Sequence, residues 1–263
     1  MPQFIQVEQR GNIKIVTLNR PDALNAISYK LAEEFHAVLD DVKYDMETRV
    51  LVITGTGRSF CAGADLKERQ SYTPEERGRK TAEMCEIVTS LFQKIEMLEV
   101  PTIAAINGFC LGGGLELAIS CDMRVVGDQC KLGFPEIDYG SYPGAGAPTM
   151  LPRIIPAAKA KELLFTGRRI SAQEAKDEFG LVEKVVPQDQ VLEAALALAE
   201  EIAQHAPIAL RELKKAIAYG MTTTPELSRT ISLWLRKSID VSEDYQEGLR
   251  ARNEKRKPVF KGR

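Results

Sequence analysis

The chain has 263 residues, 44% of them hydrophobic, and at that length it can bury roughly 75% of its unfolded surface without disulfides or a structural metal. Its 35 Lys and Arg nearly balance 37 Asp and Glu, and the net charge of −2 argues against a nucleic-acid-coating protein. Five cysteines (Cys61, Cys85, Cys110, Cys121, Cys130) contain no CxxC pair and read as reduced thiols, not as a disulfide frame or zinc site.

Residues 4–8 and 13–18 are β-rich runs on either side of Gln9-Arg10-Gly11-Asn12 and predict a hairpin. Leu31, Phe35, Val38, Leu39 and Val42 recur at helical spacing behind Ser28, a candidate N-cap. Residues 50–53 read as a buried strand ended by Gly55-Thr56-Gly57. Thr73-Pro74-Glu75-Glu76 joins a capping box to a proline at the first helical position, and Met84, Ile87, Val88, Leu91, Phe92 and Ile95 continue as one apolar face. A second buried strand at 102–106 leads into a glycine-rich turn at 108–114 and a helical run at 115–120. From Pro156 the signals are mostly helical, interrupted at 181–186, with a capping box at Ser171 and a stop at Gly180.

This alternation predicts an α/β core over residues 1–200 and a helical C-terminal region over 201–263. No fixed-period repeat, no secretory signal and no run of 18 apolar residues is visible, which predicts a soluble, cytoplasmic protein. His36 and His205 are the only histidines and both fall in helical patterns. Any chemistry therefore falls to carboxylates and backbone.

Three segments place glycines after apolar strands: Ser59-Phe60-Cys61-Ala62-Gly63-Ala64-Asp65-Leu66-Lys67, Asn107-Gly108-Phe109-Cys110-Leu111-Gly112-Gly113-Gly114-Leu115-Glu116-Leu117, and Phe134-Pro135-Glu136-Ile137 running into Tyr142-Pro143-Gly144-Ala145-Gly146. Glycine lets a ligand approach main-chain N–H groups closely, although one such cluster alone is often only a tight turn. A phosphate loop fails because Gly114 and Leu115 stand where Lys and Ser/Thr are needed. Gly112, Gly114 and Leu117 fall one glycine short of the dinucleotide fingerprint, leaving a nicotinamide or flavin oxidoreductase as a distant alternative. No GxSxG elbow occurs.

In this order the three segments resemble the crotonase (enoyl-CoA hydratase/isomerase) superfamily. The likeness extends to Asn19-Arg20-Pro21-Asp22-Ala23-Leu24-Asn25-Ala26 and to Lys255-Arg256-Lys257-Pro258-Val259-Phe260-Lys261-Gly262, and so covers essentially the whole chain. It implies a spiral of repeated ββα units, a C-terminal helical region used in trimerisation, a homotrimer or a hexamer made of two trimers, and an acyl-CoA thioester substrate. It also implies an oxyanion hole at the backbone N–H groups of Ala64 and Gly113. Contacts to substrate or CoA are implied at Arg20, Ala23, Ala62, Asp65, Leu66, Lys67, Gly144 and Lys261, with Arg20 and Lys261 equally readable as solvated charges. Ala145-Gly146-Ala147-Pro148 departs from the superfamily's usual Gly-Gly-Thr-Gln run, which leaves acyl-chain preference open, and residues 68–83 are the expected pocket determinant.

By the same likeness Glu116 and Glu136 are the catalytic pair of a hydratase, which forms 3-hydroxyacyl-CoA from 2-trans-enoyl-CoA. Two glutamates suit addition of water, because the hydroxyl loses a proton at C3 while C2 gains one. Glu116, in the first turn of a helix, is expected to favour the ionised form and act as base. Glu136, among Phe134, Pro135 and Ile137, is expected to favour the neutral form and act as acid. No metal or redox cofactor is expected, CoA being part of the substrate. The nearest alternative is an enoyl-CoA isomerase with Glu136 as proton shuttle, and a more distant one is an RNA-binding tail at 250–263.

Overall fold

The N-terminal hairpin forms as expected, β1 (Ile5–Arg10) pairing antiparallel with β2 (Ile13–Leu18), in the computed structural model, which describes residues 3–263. Helix α1 (Tyr29–Tyr44) begins where Ser28 Oγ accepts the Leu31 N–H at 3.2 Å, and it buries the predicted apolar stripe. Three units follow, each a long strand, a short strand and a helical stretch. The first is β3 (Val50–Gly55), β4 (Ser59–Cys61), α2 (Leu66–Gln70) and α3 (Pro74–Glu96); the second is β5 (Thr102–Ile106), β6 (Phe109–Leu111) and α4 (Gly113–Ser120). The third is β7 (Met123–Gly127), β8 (Lys131–Gly133), α5 (Ala147–Ile154) and α6 (Ala157–Thr166). This is the ββα spiral. Its helical stretches differ so much in length that the repeat leaves no fixed period in the sequence.

Strands β9 (Arg169–Ser171) and β10 (Lys184–Val186), separated by α7 (Ala172–Asp177), complete two sheets. The long strands form the order β1-β2-β3-β5-β7-β10, parallel from β2 onward, and the short ones form β4-β6-β8-β9, parallel except for β9. Side chains alternate across a strand, so the large sheet buries both faces. Leu51 and Ile53 join Phe35, Leu39 and Phe92 on one side, while Val50 and Val52 meet Val191, Ala195 and Ala199 of α8 (Val191–Ala203) on the other.

The helical signals break at 181–186 as expected, and Lys184–Val186 there forms β10. The structure differs from the sequence reading at three places. The glycine-rich turn at 108–114 contains β6, and α4 starts at Gly113, two residues before the predicted helical run. Helix α8 runs across residue 200 and packs on the sheet, so the helical region proper begins with α9 (Pro207–Thr222) and continues through α10 (Pro225–Asp240) and α11 (Glu243–Asn253). The strands β4, β8 and β9 are also additions, because three residues are too few to show alternation and exist as strands only through pairing. No helix among the described residues is long and apolar enough to cross a membrane.

Candidate active site

The three glycine segments meet because each follows one of three neighbouring short strands. β4, β6 and β8 run parallel, with Cys61 opposite Cys110 and Leu111 opposite Gly133, so the turns after them emerge side by side. Gly63, at φ +96°, packs against the second turn: a Cβ there would stand 2.8 Å from the Leu111 carbonyl oxygen and 3.3 Å from the Gly113 nitrogen. A Cβ built on Gly113 would in turn lie 3.8 Å from the Ala64 nitrogen. Two backbone N–H groups from separate turns thus sit together. Among the described residues neither N–H donates a hydrogen bond, and both residues are half-buried. Paired donors of this kind, one at a helix N-terminus, can hold an oxygen on which negative charge develops.

The Ala64 turn is braced by Leu24, Asn25 and Ile27, to which the sequence analysis gave no role. Ala62 donates to the Leu24 carbonyl (3.0 Å), Ile27 to that of Gly63 (2.8 Å) and Asp65 to that of Ile27 (3.0 Å). Asn25 is fully buried at φ +56°, and its amide donates to the carbonyls of Thr56 (3.0 Å) and Ser59 (2.8 Å) while its oxygen accepts the Arg20 N–H (2.8 Å). An Asn tolerates this left-handed conformation better than most residues. Its place in the motif at 19–26 was the only available signal.

Both glutamates reach the site. Glu116 is 3% exposed, and its Oε1 accepts the N–H groups of Ala145 (2.8 Å) and Ala147 (3.0 Å), leaving Oε2 for another partner. Burial raises its carboxyl above the ordinary range against the pull of those bonds. This corrects the expectation that the macrodipole would govern it. The donors that favour its charge come from the 145–147 turn, one and three residues beyond Gly144, the position the likeness had singled out. The Glu136 carboxyl lies against Gly112, where a Cβ would stand 2.5 Å from Oε1, and its buried Oε2 has no hydrogen-bond partner. Burial pushes Glu136 up to about 7; its own backbone N–H pulls it down, the Glu116 charge pushes it further up, and Arg69 opposes this weakly. Pro135 is buried beside it, as expected, but Ile137 is 44% exposed.

A raised native value has a consequence for stability. Glu136 contributes stability that is fully present below its unfolded value of 4.5 and lost as pH rises through about 7. Melting curves of wild type and Glu136→Gln should therefore diverge in favour of the variant above pH 7 and converge below pH 4.5. A constant difference across that window would count against the burial of this carboxyl.

The remaining positions divide. Ala23 and Ala62 are half-buried, and Leu66 and Lys67, the first residues of α2, are exposed. Arg20 and Asp65 are paired with each other at 2.9 Å, and Arg20 also donates to the Ala26 carbonyl, so neither offers a free charge to a ligand. Asp65 additionally caps α2 through Lys67 and Glu68 N–H. Lys261 is not brought to the site of its own chain: its N–H binds Asp244 while neighbouring Phe260 accepts from Arg49, at the end of β3 away from the glycine turns. In the basic tail Arg250 and Arg256 pair with Glu247 and Arg263 with Glu243, whereas Arg252, Lys255, Lys257 and Lys261 form no ion pair among the described residues.

Residues 8–263 match the family model described as enoyl-CoA hydratase/isomerase. The chain is 37% identical over 252 residues to a short-chain-enoyl-CoA hydratase of Clostridium acetobutylicum, covering 95% of each chain. It is 36% identical over 257 residues to the 2,3-dehydroadipyl-CoA hydratase of Escherichia coli, covering 98% of each. A crystal structure of an enoyl-CoA hydratase from Bacillus anthracis superposes with a TM-score of 0.95 at 40% identity, covering 99% of this chain and 100% of that one.

Proposed function

The chain belongs to the enoyl-CoA hydratase/isomerase family, and from that premise we propose that it adds water reversibly to a 2-trans-enoyl-CoA, giving the 3-hydroxyacyl-CoA. The observation that carries this reading is the presence of two carboxyls, Glu116 and Glu136, beside the paired N–H groups of Ala64 and Gly113. In this mechanism Glu116, through Oε2, takes a proton from water as its oxygen bonds to C3. The electron pair of the C2–C3 double bond moves toward the thioester, whose oxygen becomes an enolate held by the N–H groups of Ala64 and Gly113. Glu136 then gives its proton to C2. The pair holds one proton before and after, transferred from Glu136 to Glu116 and returned through solvent, so no cofactor is consumed and CoA serves as the handle of the substrate.

A second reading, isomerisation of a 3-enoyl-CoA, draws on Glu136 alone, a carboxyl near 7 with an unpartnered oxygen that can carry a proton between C4 and C2. Incubation with a panel of 2-enoyl-CoA and 3-enoyl-CoA thioesters in deuterated water separates the two. A hydratase gives 3-hydroxyacyl-CoA with one deuterium placed stereospecifically at C2 and loses the conjugated-enoyl absorbance. Turnover of 3-enoyl-CoA alone, with no gain of water, would establish the isomerase instead.

The exposed apolar side chains of the C-terminal helices, Leu213 and Ile217 on α9 with Leu233 and Trp234 on α10, support assembly into a trimer or a pair of trimers. Light scattering on the purified chain measures the mass.

A further inference from the structure

Helix α2 follows directly on the Ala64 turn, and its Arg69 is a cation without a counter-ion. Among the described residues Arg69 forms no ion pair, and its Nε is shut away from water with no hydrogen-bond partner. A buried donor left unmade costs stability, so it calls for an explanation. The carboxylates around it do not supply one. Asp65 is held by Arg20, Glu68 accepts the Tyr29 N–H at 3.0 Å, and Glu116 is engaged by Ala145 and Ala147. Glu136 lies close enough to feel the charge of Arg69 but beyond ion-pair distance, and burial drives it toward the neutral form.

The position of this cation along a bound substrate follows from the site. A thioester held by Ala64 and Gly113 presents C2 to Glu136, and Arg69 stands on the Glu136 side. The whole pantetheine arm separates the CoA phosphates from the thioester, so the group that can reach Arg69 lies on the acyl chain beyond C3. We propose that Arg69 is the counter-ion of a carboxylate carried at the far end of the acyl chain, and that the substrates are accordingly carboxylated enoyl-CoA thioesters. The proposal rests on the reading of the site as an enoyl-CoA site and specifies its substrate class. Arg69 is thereby a specificity-determining residue: a planar guanidinium recognises a carboxylate by charge-assisted hydrogen bonds and gains nothing from a methyl terminus.

Saturated ligands test this without turnover. Calorimetry with glutaryl-CoA and hexanoyl-CoA, which are similar in length and differ in the terminal carboxylate, should give a preference of about tenfold or more for glutaryl-CoA in the wild type. Arg69→Met, a similar-sized side chain with good helix propensity, should erase that preference, and Arg69→Lys should retain part of it. Equal weakening of both ligands, as expected if the guanidinium served CoA or the fold, would overturn the proposal, as would a preference unaffected by the substitution. The hydration assay stands apart from this measurement. A protein that prefers glutaryl-CoA through Arg69 yet hydrates no enoyl-CoA would refute the proposed reaction and leave the carboxylate site standing.

Discussion

Gly113→Pro should lower kcat for hydration by at least about 100- to 1000-fold, the loss typical of deleting one oxyanion donor, while the protein still folds. Gly113 is the first residue of α4, the helical position most tolerant of proline, and its N–H makes no hydrogen bond whose loss would weaken the helix. A Cβ at this position meets nothing closer than Ile27 Cδ1 at 3.6 Å. The substitution replaces the donor hydrogen with a ring carbon and leaves Ala64 to hold the oxygen alone. Steady-state kinetics together with circular dichroism and a melting curve provide the check. A folded Gly113→Pro protein with near-wild-type kcat would exclude the Gly113 N–H from the reaction.

Glu116→Gln and Glu136→Gln should each lower hydration by at least ~100-fold with CoA-ligand binding retained, because each removes one partner of a two-proton exchange. At position 116 the amide oxygen of glutamine can keep both bonds from Ala145 and Ala147, so the side chain stays in place and only its basicity is lost. At position 136 the amide cannot release a proton to carbon. In the proposed mechanism the pair works with a single proton, and with Glu136 near 7 the kcat/KM profile should fall on the alkaline side through about pH 7 as that proton is lost. On the acid side it should fall as both carboxyls become protonated. In either single variant the alkaline limb should shift or disappear. A profile flat from pH 5 to 9 would remove the glutamate pair from the rate-determining chemistry.

Much of the scaffold was legible in the chain because its signals are local. Ser28, and Thr73 with Glu76, mark the starts of α1 and α3, where hydrogen-bonding partners lie within three residues. The apolar runs at 50–53 and 102–106 announce strands buried on both faces, as β3 and β5 are. Motif order also pointed to Ala64, Gly113, Glu116 and Glu136, the residues the fold brings together.

The remaining features depend on contacts between distant parts of the chain. The short strands β4, β6 and β8 exist through pairing with one another, and their adjacency makes one site of three turns. The partners of Glu116 lie 29 and 31 residues away, and the pairing that neutralises Arg20 and Asp65 spans 45. No helical position or neighbouring residue type foretells them. The raised carboxyl of Glu136 and the unpartnered Nε of Arg69 have the same origin: desolvation is summed over everything that folds around a group. Residue order thus marked which residues could take part, whereas proton affinity, charge pairing and the absence of Lys261 from its own chain's site were set by packing, because burial and long-range hydrogen bonds exist only once the chain has folded.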